Sequence, residues 1–173
     1  MAGDIKLKYG TTQALTQTNL DGLASSTSFT AGWTSASIDN TSDLAIDFLI
    51  TGQFQVESSG LTAGEIRVST YAIMDPTGPT WPDLFSAGTE GTEGTATISD
   101  TEIRDSAFVP LWTTVTDTTA SRVYPMSSKS IKAAFGTVPQ MFALFVAQST
   151  VAALETTGDP NVLYYQPVLY QYT

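Results

Sequence analysis

Alternation between apolar and polar residues is clearest between positions 44 and 56. The even positions in this segment are apolar except Gly52, and the odd positions are polar or, at Ala45, small, with Leu49 as the one large apolar exception. A period of two residues predicts a strand with one face on a core and the other toward solvent. Gly52 interrupts the apolar face, which predicts a bulge or a bend at that point of the strand.

Further strands are predicted wherever a similar alternation or a short apolar run is bounded by turn residues. The predicted segments are 5–9, 29–38 (one strand, or two short ones around Gly32), 65–74, 108–115, 122–126, 141–148 and 162–172. The segment 141–148 is apolar on both faces, which predicts a central strand covered on both sides. Pro167 cannot donate a backbone hydrogen bond and therefore predicts an edge position or a bulge in the last strand.

These segments predict one all-β domain spanning residues 1–173. About eight antiparallel strands separated by Gly, Pro, Asn and Asp turns are typical of a β-sandwich or jelly roll. Helix is scarce: residues 130–135 predict one helical turn that stops at Gly136, and residues 20–24 predict another. Residues 76–107 form one long irregular loop, and we expect such a loop to contact a partner.

Composition supports the all-β prediction and restricts the class of partner. Only 14% of residues are charged, and 17 acidic against 7 basic side chains give a net charge of −10. The basic residues are scattered, whereas nucleic acids and anionic membranes bind clustered Lys and Arg. We therefore expect neither a nucleic acid nor a membrane as a partner. No apolar run is long enough for a spanning helix, and residues 1–6 lack the apolar segment of a signal peptide.

Missing residue types argue against catalysis. The chain contains no histidine and no cysteine, which removes the Ser-His-Asp triad, the Cys-His dyad, disulfides and thiolate zinc sites. The lack of cysteine also suits folding in a reducing cytoplasm. A hydrolase that uses only carboxylates remains conceivable, with Asp47 and Glu65 as the pair, but solvent-facing charges on a sheet are the favoured interpretation. We therefore predict no enzyme, no cofactor, and no catalytic, cofactor-binding or metal-binding residue.

The polar segment 39–43 has two interpretations. Its Asp, Asn, Thr and Ser residues offer oxygen ligands for calcium, but the glycine and glutamate of a known calcium loop are missing. The same residue types are those that a tight turn between two strands requires, and the turn is the favoured interpretation. Asn40 also begins a glycosylation sequon, which we interpret as a chance match because no export signal precedes it.

Aromatic residues leave open a carbohydrate-binding module, because sugars stack on aromatic faces. Trp33 and Trp112 lie in predicted strands and are expected in the core. Trp81 lies between prolines and is expected to be exposed or to anchor an interface. Four tyrosines fall on both faces of the last strand, so some should pack inward and the outward ones would suit a subunit contact; they are Tyr164, Tyr165, Tyr170 and Tyr172.

Several segments together resemble small structural proteins of tailed bacteriophages. They are 5–10 (IKLKYG), 32–42 (GWTSASIDNTS), the strand at 44–54, 71–75 (YAIMD), 81–85 (WPDLF) and 164–168 (YYQPV). The resemblance implies a non-enzymatic virion protein, and within that group a jelly-roll decoration (cement) protein of the capsid exterior. It further implies assembly in the host cytoplasm, binding to the lattice of the major capsid protein, and a homo-oligomer, expected to be a trimer. The alternatives are a tail or fibre adaptor and a receptor-binding or carbohydrate-binding β-sandwich module.

Overall fold

The computed structural model describes residues 4–57, 62–75 and 80–173, and strands dominate this part of the chain. The strands are β1 (Ile5–Tyr9), β2 (Gln13–Ala14), β3 (Ala31–Thr34), β4 (Ile38–Asp39), β5 (Asp47–Gln55), β6 (Glu65–Ala72), β7 (Phe85–Ala87), β8 (Gly94–Ile98), β9 (Val109–Val115), β10 (Val123–Ser130), β11 (Met141–Gln148) and β12 (Val162–Tyr172). The helices are α1 (Thr101–Ala107) and α2 (Ile131–Phe135). No helix in these ranges is long and apolar enough to cross a membrane.

The strands form two antiparallel sheets. The first sheet has the order β1-β12-β5-β10, with β2 also paired to β12. The second has the order β7-β8-β3-β11-β6-β9, with β4 paired to β11. The all-β sandwich predicted from the sequence is therefore confirmed. Without β2, β4, β7 and β8, the remaining orders 1-12-5-10 and 3-11-6-9 are those of an eight-stranded jelly roll.

The main core lies between the two sheets, and β5 contributes one face to it as predicted. Phe48, Ile50 and Phe54 are buried there. The prediction was wrong about the start of this strand, because Leu44 is exposed and has a left-handed backbone with φ of 48°. The Asn40 side chain explains the difference: it binds both the N–H and the carbonyl of Ala45 and closes a turn that holds Leu44 out of the strand.

Strand β11 is central and covered on both sides, which confirms the prediction for this segment. Phe142, Leu144 and Val146 pack between the sheets, whereas the alternate residues face a second apolar cluster. That second cluster lies on the outer face of the second sheet. A strand with apolar residues at every position is stable only where both faces leave water, and β11 meets that condition.

The prediction of an irregular loop at 76–107 was wrong for its described part, which contains β7, β8 and α1. Leu84, Phe85 and Ile98 from this stretch pack against the outer face of the second sheet. Asp100 caps α1 by accepting a hydrogen bond from the N–H of Ile103 at 2.7 Å. The apolar residues of this segment cover β11 from outside, so it builds the second cluster. Residues 76–79 of the predicted loop lie outside the described residues.

Pro167 lies inside a sheet, so the predicted edge position was wrong. The predicted bulge is confirmed, because residues 10–12 lie opposite only residues 166–167, between the pairs Tyr9–Val168 and Gln13–Tyr165. β12 has β5 on one side and both β1 and β2 on the other. The Pro167 carbonyl accepts the Gly10 N–H at 2.8 Å, on the side of β1 and β2. The N–H and C=O of one strand residue point to the same side of the strand. The N–H that Pro167 lacks would therefore point toward the break between β1 and β2, where no strand residue needs it.

Gly52 lies beside a bulge, as predicted, but close approach of the neighbouring strand gives a stronger reason for glycine. The pairing of β10 with β5 shifts between Met126 and Lys129, opposite Gly52. A Cβ at Gly52 would lie 2.3 Å from the carbonyl oxygen of Val162. The predicted helical turn at 130–135 is confirmed as α2, capped by Ser130 and ended by left-handed Gly136. Residues 20–24 form hydrogen-bonded turns and not a helix.

Candidate functional site

The most distinctive surface is the apolar face of the two-stranded ribbon made by β1 and the end of β12, here called the terminal ribbon. The two strands pair antiparallel, with Leu7 opposite Tyr170 at the centre. One face of this ribbon carries five large side chains that are each 58–71% exposed: Ile5, Leu7, Tyr9, Tyr170 and Tyr172. Isolated exposed apolar residues are normal on proteins, but a contiguous group of five is typical of an interaction surface.

The apolar face of the terminal ribbon points away from the sandwich core. On β12, Leu163 and Tyr165 pack in the core between the sheets. Side chains alternate along a strand, so the even-numbered Tyr170 and Tyr172 point to the outer face of the first sheet. The pairing of β1 with β12 places Leu7 on that same outer face.

The exposed part of the opposite face of the terminal ribbon is polar and basic. It carries Lys6 and Lys8 on β1 and Gln171 on β12, whereas Leu169, opposite Lys8, is half-buried and packs on the main core. These two lysines are among only seven basic residues in a chain of net charge −10. The strict alternation keeps both ammonium groups off the apolar face, so that face can leave water without burying a charge.

The prediction that the C-terminal tyrosines divide between the two faces of the last strand is confirmed. Tyr165 points inward and packs near Phe48, with 6.2 Å between ring centroids. Tyr164 is half-buried on the outer face, and Tyr170 and Tyr172 are exposed there. Whether the outward pair forms a subunit contact stays a prediction at this stage.

A second candidate is a cavity of about 400 Å³ beside the second apolar cluster, here called the arginine pocket. Arg67 binds Glu65 at 2.6 Å and stacks over the Phe29 ring, 3.7 Å from its centroid. Arg104 binds the two carboxylate oxygens of Asp105 at 2.7 and 2.9 Å and also donates to the carbonyl of Ser28. Phe29 has an unusual left-handed backbone, with φ of 55°.

Charge in the arginine pocket is balanced pair by pair. The hydrogen bonds from Arg104 lower the pKa of Asp105, and pairing with Asp105 raises the pKa of Arg104. Each guanidinium group is thus paired with one carboxylate, Arg67 with Glu65 and Arg104 with Asp105. Such a pocket offers oriented donors and acceptors to a neutral polar ligand such as a sugar, without a net field to attract an anion.

The three tryptophans differ in how deeply they are buried. Trp33 is fully buried, as predicted, and its Nε1 donates to Glu93 at 2.8 Å. Trp112 is half-buried and stacks on Phe54 with 5.7 Å between centroids. Trp81 is also half-buried, with its ring against Tyr71 at 5.3 Å, so it packs on the second cluster and does not project from the surface.

The polar residues singled out in the sequence have structural partners. Asp47 accepts hydrogen bonds from the Ser130 hydroxyl at 2.7 Å and from the Lys132 N–H at 2.9 Å, which secures the start of α2. Glu65 belongs to the other sheet and binds Arg67, so Asp47 and Glu65 do not form a pair. Residues 39–43 form the turn described above, and the Asn40 amide is buried within it.

The described ranges contain no group of three or more His, Cys, Asp or Glu side chains arranged to hold a metal ion. Fold and surface together define a β-sandwich protein of jelly-roll topology with an exposed apolar ribbon at its chain ends. No family model matches the chain, and no curated protein matches its sequence.

Proposed function

We propose that this protein is a structural virion protein of a tailed bacteriophage, a decoration (cement) protein that binds and stabilises the assembled capsid lattice. The observation that carries the proposal is the apolar face of the terminal ribbon, whose five exposed side chains form a surface suited to assembly. The jelly-roll topology and the resemblance of the sequence to phage structural proteins support the same function.

Lattice binding explains how modest contacts can stabilise a shell. A protein that bridges neighbouring capsid subunits makes several contacts at once, and linked contacts bind far more tightly than each alone. A ligand that binds the assembled lattice and not its dissociated subunits stabilises the lattice by mass action. The net charge of −10 further disfavours adhesion to packaged DNA.

Co-sedimentation tests the proposal directly. Purified protein is mixed with DNA-free, expanded capsids of the phage that encodes the chain, and bound protein is measured across a concentration series. We expect saturable binding and a higher temperature of capsid disruption. Unassembled capsid subunits serve as the control and should bind much more weakly. Absence of binding to the capsids at micromolar protein would contradict the proposal.

The alternative function is a tail or fibre adaptor, or a receptor-binding or carbohydrate-binding module. The arginine pocket favours the carbohydrate-binding version, because its balanced charges and aromatic wall suit a neutral polyol. Trp81 is a weaker candidate for that role, since its ring packs against Tyr71. A protein that ignores capsids but sediments with phage tails would support the adaptor.

A further inference from the structure

We propose that the apolar face of the terminal ribbon packs against the same face of a second copy of this chain. The inference rests on the proposed assembly function and deepens it by naming the partner that covers this surface. A contact between like faces has two-fold symmetry, so it makes the protein a homodimer joined through β1 and β12, and not the trimer that the resemblance implies. The ribbon is thus a contact between copies, and other surfaces are left to bind the lattice.

The size of the apolar face matches what a stable contact between copies needs. Five side chains at 58–71% exposure amount to on the order of 700 Å² of accessible surface, given about 150–250 Å² for a large aromatic side chain. The largest apolar patch on a typical monomer is about 300–600 Å², and a standard interface buries about 800 Å² per partner. The apolar face is therefore larger than the largest apolar patch of a typical monomer. Its area approaches the area that one partner contributes to a standard interface.

Charge distribution favours a second copy over a charged partner. The apolar face includes no Asp, Glu, Lys or Arg, because Lys6 and Lys8 lie on the opposite face. Two identical acidic molecules repel one another, so contact between copies is most favourable where each presents no negative charge. The apolar face provides such a place on a chain of net charge −10. A basic partner would instead be drawn to the acidic remainder of the surface.

The terminal ribbon is already ordered in the single chain, which lowers the entropic cost of association. Asp4 and Thr173 exchange two backbone hydrogen bonds, of 3.2 and 3.0 Å, beyond the last paired residues of the two strands. The side chains on the apolar face are mostly tyrosine, which loses little rotamer freedom on burial and is enriched at interfaces. Preorganised surfaces of this kind retain more of their contact energy as affinity.

Packing is expected face to face and not edge to edge. Among the described residues, β1 pairs only with β12, so its other edge faces outward. Lys6 and Lys8 lie on this edge strand, and lysines there oppose open-ended strand pairing. Stacked sheets lie about 10 Å apart with interdigitated side chains, a spacing that tyrosine and leucine fill.

The first experiment compares two double variants of the full chain by light scattering coupled to size exclusion. Leu7→Ser with Tyr170→Ser removes the central cross-strand pair of the apolar face. Lys6→Ser with Gln171→Ser is the matched control, because it alters the neighbouring pair on the polar face. We expect a dimer for wild type and control, and at least about tenfold weaker association for the apolar-face variant. All four positions are exposed, and circular dichroism checks that each variant is folded.

A cross-linking experiment keeps the test valid even if the serine variants misfold. The chain contains no cysteine, so a single introduced thiol is unique. Tyr170→Cys should form a disulfide-linked pair of chains under mild oxidation, whereas Gln171→Cys, its neighbour on the polar face, should not. A monomeric wild type at about 100 µM, well above the dissociation constants of stable interfaces, overturns the inference. Equal cross-linking at the two positions overturns it as well.

The outcomes separate this inference from the proposed function. A wild-type monomer that still binds capsids would leave the decoration function standing and assign the apolar face to the lattice, which overturns only the contact between copies. An oligomer that is lost in the apolar-face variant, but that does not bind capsids, would support the contact between copies and contradict decoration.

Discussion

At the residue scale, two half-buried glutamate side chains connect separate segments of the chain through hydrogen bonds. Glu93 accepts hydrogen bonds from the Trp33 indole and from the backbone N–H of Asn19. Glu90 accepts from the N–H groups of Leu84 and Phe85. Both glutamates lie in the stretch 76–107, for which the sequence predicts only an irregular loop. The partners of Glu93 lie 60 and 74 residues away, so no local pattern could have revealed its role, whereas those of Glu90 lie only 5 and 6 residues away.

Asp117 makes stability depend on pH in the acid range. Its carboxylate accepts a hydrogen bond from the Thr119 N–H and contacts Tyr124 and Arg122, which lowers its pKa from 3.8 to about 2. The folded state therefore binds fewer protons than the unfolded state between these values, and stability falls as pH falls through that window.

We expect Asp117→Asn to reduce this pH dependence. Urea unfolding measured between pH 5 and pH 2 should show a smaller loss of stability below pH 4 for the variant than for wild type. Thr118→Ala, in the same loop and without a titrating group, is the control and should follow wild type. Parallel curves for wild type and Asp117→Asn would contradict the assignment.

At the element scale, strands with a strong local pattern were predicted well and short elements were not. β1 has the predicted bounds, and β11 has the predicted cover on both faces. Helix α1 was missed because it spans seven residues and has no fully buried side chain, which leaves no helical periodicity to detect. The Asp100 cap, with Glu102 in the first turn, was the one available signal.

Gly52 provides a test of close packing between strands. Gly52→Ala would place a methyl group 2.3 Å from the Val162 carbonyl oxygen, so β5 and β12 must separate. We expect a loss of about 1–3 kcal/mol in the free energy of unfolding, measured by chemical denaturation. Gly136→Ala is the comparison: its Cβ meets open space, and only its left-handed φ of 78° is strained, which costs about 1 kcal/mol. A neutral Gly52→Ala would contradict the geometry.

At the scale of the whole molecule, two apolar clusters share one strand. Leu144 faces the core between the sheets, and the adjacent Phe145 faces the outer cluster built by β7, β8 and α1. If β11 left either cluster, the apolar residues of the other cluster would be exposed to water as well, because this one strand belongs to both. The two clusters should therefore unfold together.

We expect Leu144→Ala and Phe145→Ala each to destabilise the whole chain, by about 2–5 kcal/mol, in a single transition. Calorimetry, with near-ultraviolet circular dichroism as a second probe, checks this: both probes should report one midpoint for each variant. Thr95→Ala, at an exposed position of β8, is the control and should change stability by less than about 0.5 kcal/mol. Two separate transitions in Phe145→Ala would show that the outer layer unfolds independently.

The amino-acid sequence alone determined the structural class, the strand at β11 and the stop of α2 at Gly136. Each depends on side-chain periodicity or on one residue's backbone preference, and both act locally. The tertiary structure alone decided which apolar faces are covered. β1 and β5 show the same alternation, yet Phe48 is buried and Leu7 is exposed. Burial requires a second sheet opposite the strand, and strand pairing between distant segments decides where that sheet lies.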